Sequence, residues 1–273
     1  MNIKPYSGFR YLISAVYYKL RIFIDCSEGR GRLAYSEILH YIDGILGVWW
    51  EMPEFTKIRT ITTIWGRFHF FGDLYSYLIL NPSFERLDME YFVKAIHMYL
   101  ARGERILFLD LGANVGLYSV GVPLRVGGGN LDIHAFEPEP RYFKLLKLNI
   151  SENKIKNVHL HNVALGTQNA RVVSKEFVWP GHPLKKVLFR MRRLDTRISD
   201  AYLRRYDRVV MKIDIEGHEE EALRGAEKLF HVKIPMMLMI EDSVKPEVRK
   251  FLKARGFAYL GRVSPYNSFW EHI

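Results

Sequence analysis

The stretch Ile106-Leu107-Phe108-Leu109-Asp110-Leu111-Gly112-Ala113-Asn114-Val115-Gly116 joins a short apolar run to a turn with two glycines four positions apart. A continuous apolar run bounded by turn residues reads as a strand buried on both faces. The glycines let the backbone turn sharply and approach a ligand closely, and a helix opening at Leu117 would present free N–H groups to electron-rich or anionic atoms. The turn is not the G-x-G-x-x-G dinucleotide fingerprint, because Asn114 stands in the second glycine's place and the spacing is shorter.

Outward from this turn, short apolar runs alternate with longer helix-like segments from Arg105 onward, the pattern of βαβ units and a parallel sheet. The runs are Ile106 to Leu111, Leu131 to Phe136, Val158 to His161, Val209 to Ile213, Met236 to Ile240 and Phe257 to Leu260. The expected fold class is therefore α/β and doubly wound. Ligands of such sheets sit beyond the carboxyl ends of the strands, so Asp110, Glu137, Asn162, Asp214 and Glu241 are expected to converge on one rim. Residues 1–97 are aromatic-rich and irregular and are expected to be an N-terminal extension, a lid or docking segment, with residues 98–273 forming the main domain.

Ala135-Phe136-Glu137-Pro138 puts a carboxylate at the end of the second strand, twenty-one residues after Gly116. A carboxylate there can accept both hydroxyls of a ribose. It can equally be an acid favoured by a helix dipole, with Pro138 at the first helical position. Asn162-Val163-Ala164-Leu165-Gly166 closes the third strand, where an amide and a small apolar wall can hold an adenine ring.

With these elements in order, the chain resembles the FkbM family of S-adenosylmethionine-dependent methyltransferases over about residues 84–260. The matching segments are Leu109 to Gly116, Ala135 to Pro138, Leu148-Asn149-Ile150 with Asn153, Ala164-Leu165-Gly166, Leu194-Asp195, Lys212 to Gly217 with Glu219, Leu223 and Gly225, and Ile240-Glu241. The resemblance implies a Rossmann-like class I methyltransferase fold with a seven-stranded, mostly parallel sheet, its antiparallel strand supplied by Asn267 to Ile273. It also implies S-adenosylmethionine as cofactor and O-methylation of a hydroxyl on a saccharide, glycolipid or other small natural product. The expected cofactor-binding set is Asp110, Gly112, Ala113, Asn114, Gly116, Glu137, Pro138, Asn162 and Ala164.

Methyl transfer is an in-line displacement, so alignment and exclusion of water dominate, and a positioned base adds about 10²–10⁴-fold. Asp214, at the end of the fourth strand, is the first candidate for the methyl-facing carboxylate. Glu216, His218 and Glu241 complete the candidate catalytic group, whereas Glu219, Glu220 and Glu221 stand where the dipole of the next helix favours acids whatever the function. Asp195, Asp214 and Glu241 are oxygen donors that could gather a divalent metal such as magnesium. His159 and His161 alternate along a strand toward one face, but two histidines without a third ligand are more often surface residues.

Two departures from the family pattern bear on the acceptor: Arg193 stands before Leu194-Asp195, and Asp242-Ser243 follows Glu241. Between Arg141 and Lys212 seventeen Lys and Arg face five Asp and Glu, an excess larger than the whole-chain net charge of +10. That field concentrates anions, and the run Lys185 to Arg193 is expected to form an amphipathic edge strand that meets an anionic acceptor. The same charge, with an aromatic such as Trp179, suggests RNA methylation as the rival, since RNA recognition combines phosphate contacts with base stacking. No separate RNA-binding module stands out, so nucleic acid is the less favoured partner.

Hydrophobic residues at 48% and charged residues at 26% are ordinary globular values, so a core is easily built. The single cysteine, Cys26, forbids an internal disulfide and a C-x-x-C zinc pair. The start lacks a signal-peptide pattern, which makes the cytoplasm the expected compartment. No run reaches the roughly 18 apolar residues of a membrane span. Within residues 1–35, however, Leu12, Val16, Leu20 and Phe23 can share one face of an interfacial helix, a peripheral membrane contact. A nucleotide fold turned into a membrane-docked module without catalysis is the non-enzyme alternative, and the intact glycines and rim carboxylates speak against it.

Overall fold

The computed structural model describes residues 58–71, 80, 84–174, 187–241, 246–264 and 267–273. The expectations placed on residues 1–35, Cys26, Trp179 and Asp242-Ser243 lie outside them. Alternating residues open the described chain as a hairpin, β1 (Ile58–Thr63) paired antiparallel with β2 (Gly66–Phe71). Helix α1 (Arg86–Ala101) follows, with Met89, Phe92, Ile96 and Tyr99 making the apolar stripe that an amphipathic helix turns to a core. The boundary expected between residues 97 and 98 falls inside α1, and the buried face of this helix shares one core with the sheet.

Strands and helices then alternate: β3 (Ile106–Leu111), α2 (Leu117–Val126), β4 (Leu131–Phe136), α3 (Pro140–Glu152) and β5 (Val158–His161). A small insertion adds β6 (Ala164–Leu165), β7 (Ala170–Ser174) and β8 (Val187–Arg192), followed by α4 (Asp200–Leu203). The chain continues through β9 (Arg208–Ile213), α5 (Glu219–Arg224), β10 (Met236–Glu241), α6 (Pro246–Lys253), β11 (Ala258–Arg262) and β12 (Asn267–His272). No described helix is long and apolar enough to cross a membrane.

The main sheet has seven strands in the order β11-β12-β10-β9-β3-β4-β5. Strands β10, β9, β3, β4 and β5 pair in parallel, while β12 runs antiparallel to both β10 and β11. The doubly wound, mostly parallel α/β class and the antiparallel strand at Asn267 are thus as the sequence implies. Strands β3 and β9 are buried along their whole length, as central parallel strands covered on both faces must be. Side chains alternate between two cores: Ile106 and Phe108 pack with α1, α2 and the hairpin, whereas Leu107, Leu109 and Leu111 pack with residues of α5 and α6. Each such side chain contributes about 1.5–3 kcal/mol over its exposed state.

Helix α3 starts two residues later than Pro138 suggests. Pro140 takes the first helical position, and Glu139 caps the helix by accepting a bond from the Tyr142 N–H at 2.8 Å. Glu139 is in extended backbone there, the conformation a cap requires. Two asparagines of α3 hold the hairpin. The Asn149 amide accepts from His69 N–H and donates to the carbonyls of His69 and Val115, and Asn153 bonds Arg67 N–H and C=O at 2.9 and 2.6 Å.

The basic run is not an edge. β8 is the middle strand of a separate three-stranded sheet, paired parallel with β6 and antiparallel with β7. The two-residue β6 covers only its end.

Candidate active site

The chain leaves β3 through a turn that only glycine can make at its first position. Gly112 has φ +82°, and a Cβ there would lie 1.8 Å from the carbonyl oxygen of Asp214. That proximity brings the ends of β3 and β9 together. The Gly112 and Ala113 N–H groups both donate to Phe136 C=O, at 3.0 and 2.9 Å, which ties the turn to the end of β4. Gly112 and Asn114 remain partly exposed, whereas Ala113 and Gly116 are buried.

Glu137 is buried, and each of its oxygens accepts one backbone N–H: Asn114 at 2.8 Å and Glu139 at 2.8 Å. Burial pushes its carboxyl up to about 7 despite these two donors. Asn162 donates its amide to the carbonyls of Glu137 and Pro138, at 2.9 and 3.0 Å, so the ends of β4 and β5 are joined as well. Ala164, partly exposed, lies in β6 opposite Met191.

A buried ammonium organises the other half of the rim. Lys212 Nζ donates to Gly112 C=O at 2.9 Å and pairs with Asp214 at 3.1 Å and Asp110 at 3.9 Å. Burial opposes its charge, but Asp214, Asp110 and Glu85 outweigh that and hold its pKa above the ordinary lysine value. Asp110 itself is fully enclosed and also accepts from Ser119 Oγ at 2.6 Å, so its carboxylate is spent inside the protein. Burial raises its pKa.

Asp214, partly exposed, is hydrogen-bonded to Glu241 across the ends of β9 and β10. Burial, then the charge of Asp214, push the Glu241 carboxyl up to about 8. Near neutral pH its protonated form is therefore favoured. Glu85, beside α1, adds a third acid: it accepts from Tyr118 Oη at 2.9 Å and Asn267 Nδ2 at 3.0 Å. Burial and Asp214 push it up to about 7.

Of the remaining candidates, Glu216 is exposed at φ +53°, near enough to Glu241 to raise its pKa, and His218 is exposed at the N-cap of α5. Glu219 is buried and accepts from the Gly217 N–H at 2.9 Å, so it shapes the loop. The expected metal trio is not assembled. Among the described residues no three His, Cys, Asp or Glu side chains gather as ligands for a metal ion, and the Asp195 carboxylate is taken up by Arg193 at 2.5 Å. Burial disfavours the Asp195 charge, but this bond outweighs it and holds the pKa low.

His159 and His161 do have a third partner, His134 of β4. His134 Nδ1 lies 3.0 Å from His161 Nε2 and its Nε2 lies 3.0 Å from Tyr202 Oη. Burial and the neighbouring histidines push His134 down to about 3, and burial and Arg197 push His161 to about 4. Both rings are neutral at physiological pH and serve as packing with polar ends.

Seven strands in this order, a glycine turn after β3 and a carboxylate after β4 define a Rossmann-like methyltransferase fold. The family described as "Methyltransferase FkbM domain" matches residues 110–259, more than half of the chain, and the chain belongs to that family. Among solved structures, it is similar to the methyltransferase FkbM from Methylobacillus flagellatus KT at 18% identity and TM-score 0.45, with 87% of this chain and 60% of that one covered. The chain thus spans about 60% of that protein's length. It is also similar to a ribosomal protein L11 methylase from Lactobacillus delbrueckii subsp. bulgaricus, at 11% identity, TM-score 0.41 and coverage of 68% and 78%. A SAM dependent methyltransferase from Aquifex aeolicus gives 12% identity, TM-score 0.38 and coverage of 67% and 97%. No curated protein sequence matches.

Proposed function

We propose that the chain is an S-adenosylmethionine-dependent methyltransferase that methylates a hydroxyl of a saccharide, glycolipid or other small natural product. One arrangement carries the reading: Lys212 joins the Gly112 turn to Asp214, which in turn meets the Glu241 carboxyl. A glycine-rich cofactor turn and a carboxylate pair able to take a proton are thereby held on one rim.

The donor set fits the cofactor. A carboxylate has about four acceptor positions, and Glu137 uses two on backbone N–H groups, which leaves room for the two hydroxyls of a ribose. Gly112 and Asn114 would line the sulfonium end, and Asn162 the adenine end. The cofactor supplies a methyl group whose bonding pair leaves with sulfur as the acceptor oxygen forms the new C–O bond. Asp214, paired with Lys212 at 3.1 Å and adjoining Glu241, would take the hydroxyl proton. Such a base contributes about 10²–10⁴-fold, the rest coming from alignment in a site closed to water.

Calorimetric titration with S-adenosylhomocysteine and, separately, NAD tests the cofactor, with Glu137→Ala as control. Micromolar binding of S-adenosylhomocysteine, weakened about tenfold or more by the substitution, is expected. Binding of NAD instead, or of neither, would overturn the reading. Transfer of labelled methyl to RNA rather than to saccharide hydroxyls would overturn the acceptor class alone.

A further inference from the structure

Next to the proposed adenine end, and sharing Pro138 and Asn162 with it, lies a cleft of about 430 Å³ whose other walls include His161, Phe189, Arg190 and Arg197. Its volume is that of a small-molecule site. The basic residues around it divide into two groups. Arg192 donates to the carbonyls of Ala170 and Met191, and Arg193 is bound to Asp195, so both are committed to the fold. Arg190 and Arg197 are exposed, line the cleft and, among the described residues, make no ion pair. In β8, moreover, Arg190 stands directly opposite Arg171 of β7. Like charges at directly paired positions destabilise a sheet unless something neutralises them.

An anion in the cleft would neutralise this pair, and the guanidinium fork with two parallel N–H donors suits phosphoryl oxygens. The His161 ring adds a neutral polar group to the same wall. The apolar faces of Phe189 and Pro138 would suit an organic substituent on that phosphate. We propose that this cleft is a phosphate-binding site, built by Arg190 and Arg197 to hold the phosphoryl group of a phosphate ester. That the ester is the methyl acceptor rests on the function proposed above; the phosphate site does not.

The test is titration of the full chain with inorganic phosphate and with glucose 1-phosphate, comparing Arg190→Ala/Arg197→Ala with the basic surface control Arg204→Ala/Arg205→Ala. Millimolar or tighter binding is expected, weakened about tenfold or more by the cleft pair and within about twofold of wild type in the control. Arg190→Lys/Arg197→Lys, which keeps the charge but loses the fork, should fall between. Tighter binding of the ester than of free phosphate identifies the acceptor side as its source, and the reverse identifies free phosphate. No binding below about 10 mM, or equal losses in both alanine pairs, would overturn the site. S-adenosylhomocysteine binding measured on the same proteins separates the two readings: its absence beside arginine-dependent phosphate binding leaves the cleft standing and removes the methyltransferase assignment.

Discussion

The ammonium of Lys212 donates to the carbonyl oxygen of Gly112 at 2.9 Å, deep between β3 and β9, with Asp214 and Asp110 as its counter-charges. Removing the cation leaves these acids uncompensated, so Lys212→Met should cost about 3–5 kcal/mol in urea unfolding. Adding Asp110→Asn should recover part of that loss, because the fully enclosed carboxylate is then gone. Additive losses would show that Lys212 acts by packing and not by charge.

Gly112 and Gly116 look alike in the sequence but differ in what an added methyl meets. At Gly112 it meets the backbone oxygen of Asp214 at 1.8 Å, while at Gly116 it meets the end of the Leu146 side chain at 2.7 Å. Both have positive φ, so both substitutions to alanine carry strain. Gly112→Ala should cost about 4 kcal/mol or more and Gly116→Ala about 1–3 kcal/mol, read as denaturation midpoints. Equal costs would mean the β3 turn can move away from β9.

Glu241 titrates at about 8 in the fold and near 4.5 outside it, so its contribution to stability is complete below pH 4.5 and is lost as pH rises through 8. Glu241→Gln keeps a neutral donor toward Asp214. Relative to wild type it should gain about 1–2 kcal/mol between pH 5 and pH 9, a figure discounted for partial exposure. In methyl-transfer assays Asp214→Asn should lose about 10²-fold or more in kcat and Glu241→Gln about tenfold.

The histidines act in the opposite direction. His134 is pushed from 6.5 to about 3, so protons bind the unfolded chain first and stability falls as pH drops below about 6.5. Because raised acids such as Glu137 titrate oppositely over part of this range, the difference between wild type and His134→Gln is the useful quantity. Wild type should lose on the order of 3 kcal/mol against the variant between pH 7 and pH 4. A constant difference would mean that His134 binds its proton equally well in the folded and unfolded chain.

The apolar runs were enough to read the five central parallel strands, because a buried parallel strand leaves the same mark whatever surrounds it, but not that Asp110 at the end of β3 turns inward to Ser119 and Lys212. Lys212 was legible only as one polar letter in a motif. Val210-Met211-Lys212-Ile213-Asp214 shows one of its counter-charges two residues on, but not that the cation is buried, since Asp110 and Glu85 lie about a hundred residues or more away. Tyr118 and Asn267 reach Glu85 in the same way, by topology. His134 could have been found, because it pairs with His159 across adjacent parallel strands, but register is set by the fold and not by either run. Asn149 did leave a signal: a fully buried asparagine on an otherwise apolar helix face needs partners.

Those asparagines have a consequence for the edge of the hairpin. Asn149 and Asn153 each offer β2 one acceptor and one donor, the same pair a residue of a neighbouring strand would supply, and they meet His69 and Arg67. Four residues of helix rise about 6.0 Å and two residues of strand about 6.6 Å, so the two side chains fall in step with alternate peptide groups. Helix α3 thereby stands in for a missing strand over two rungs. An edge that would otherwise be open to pairing with another chain is closed from within, without adding a strand to the sheet.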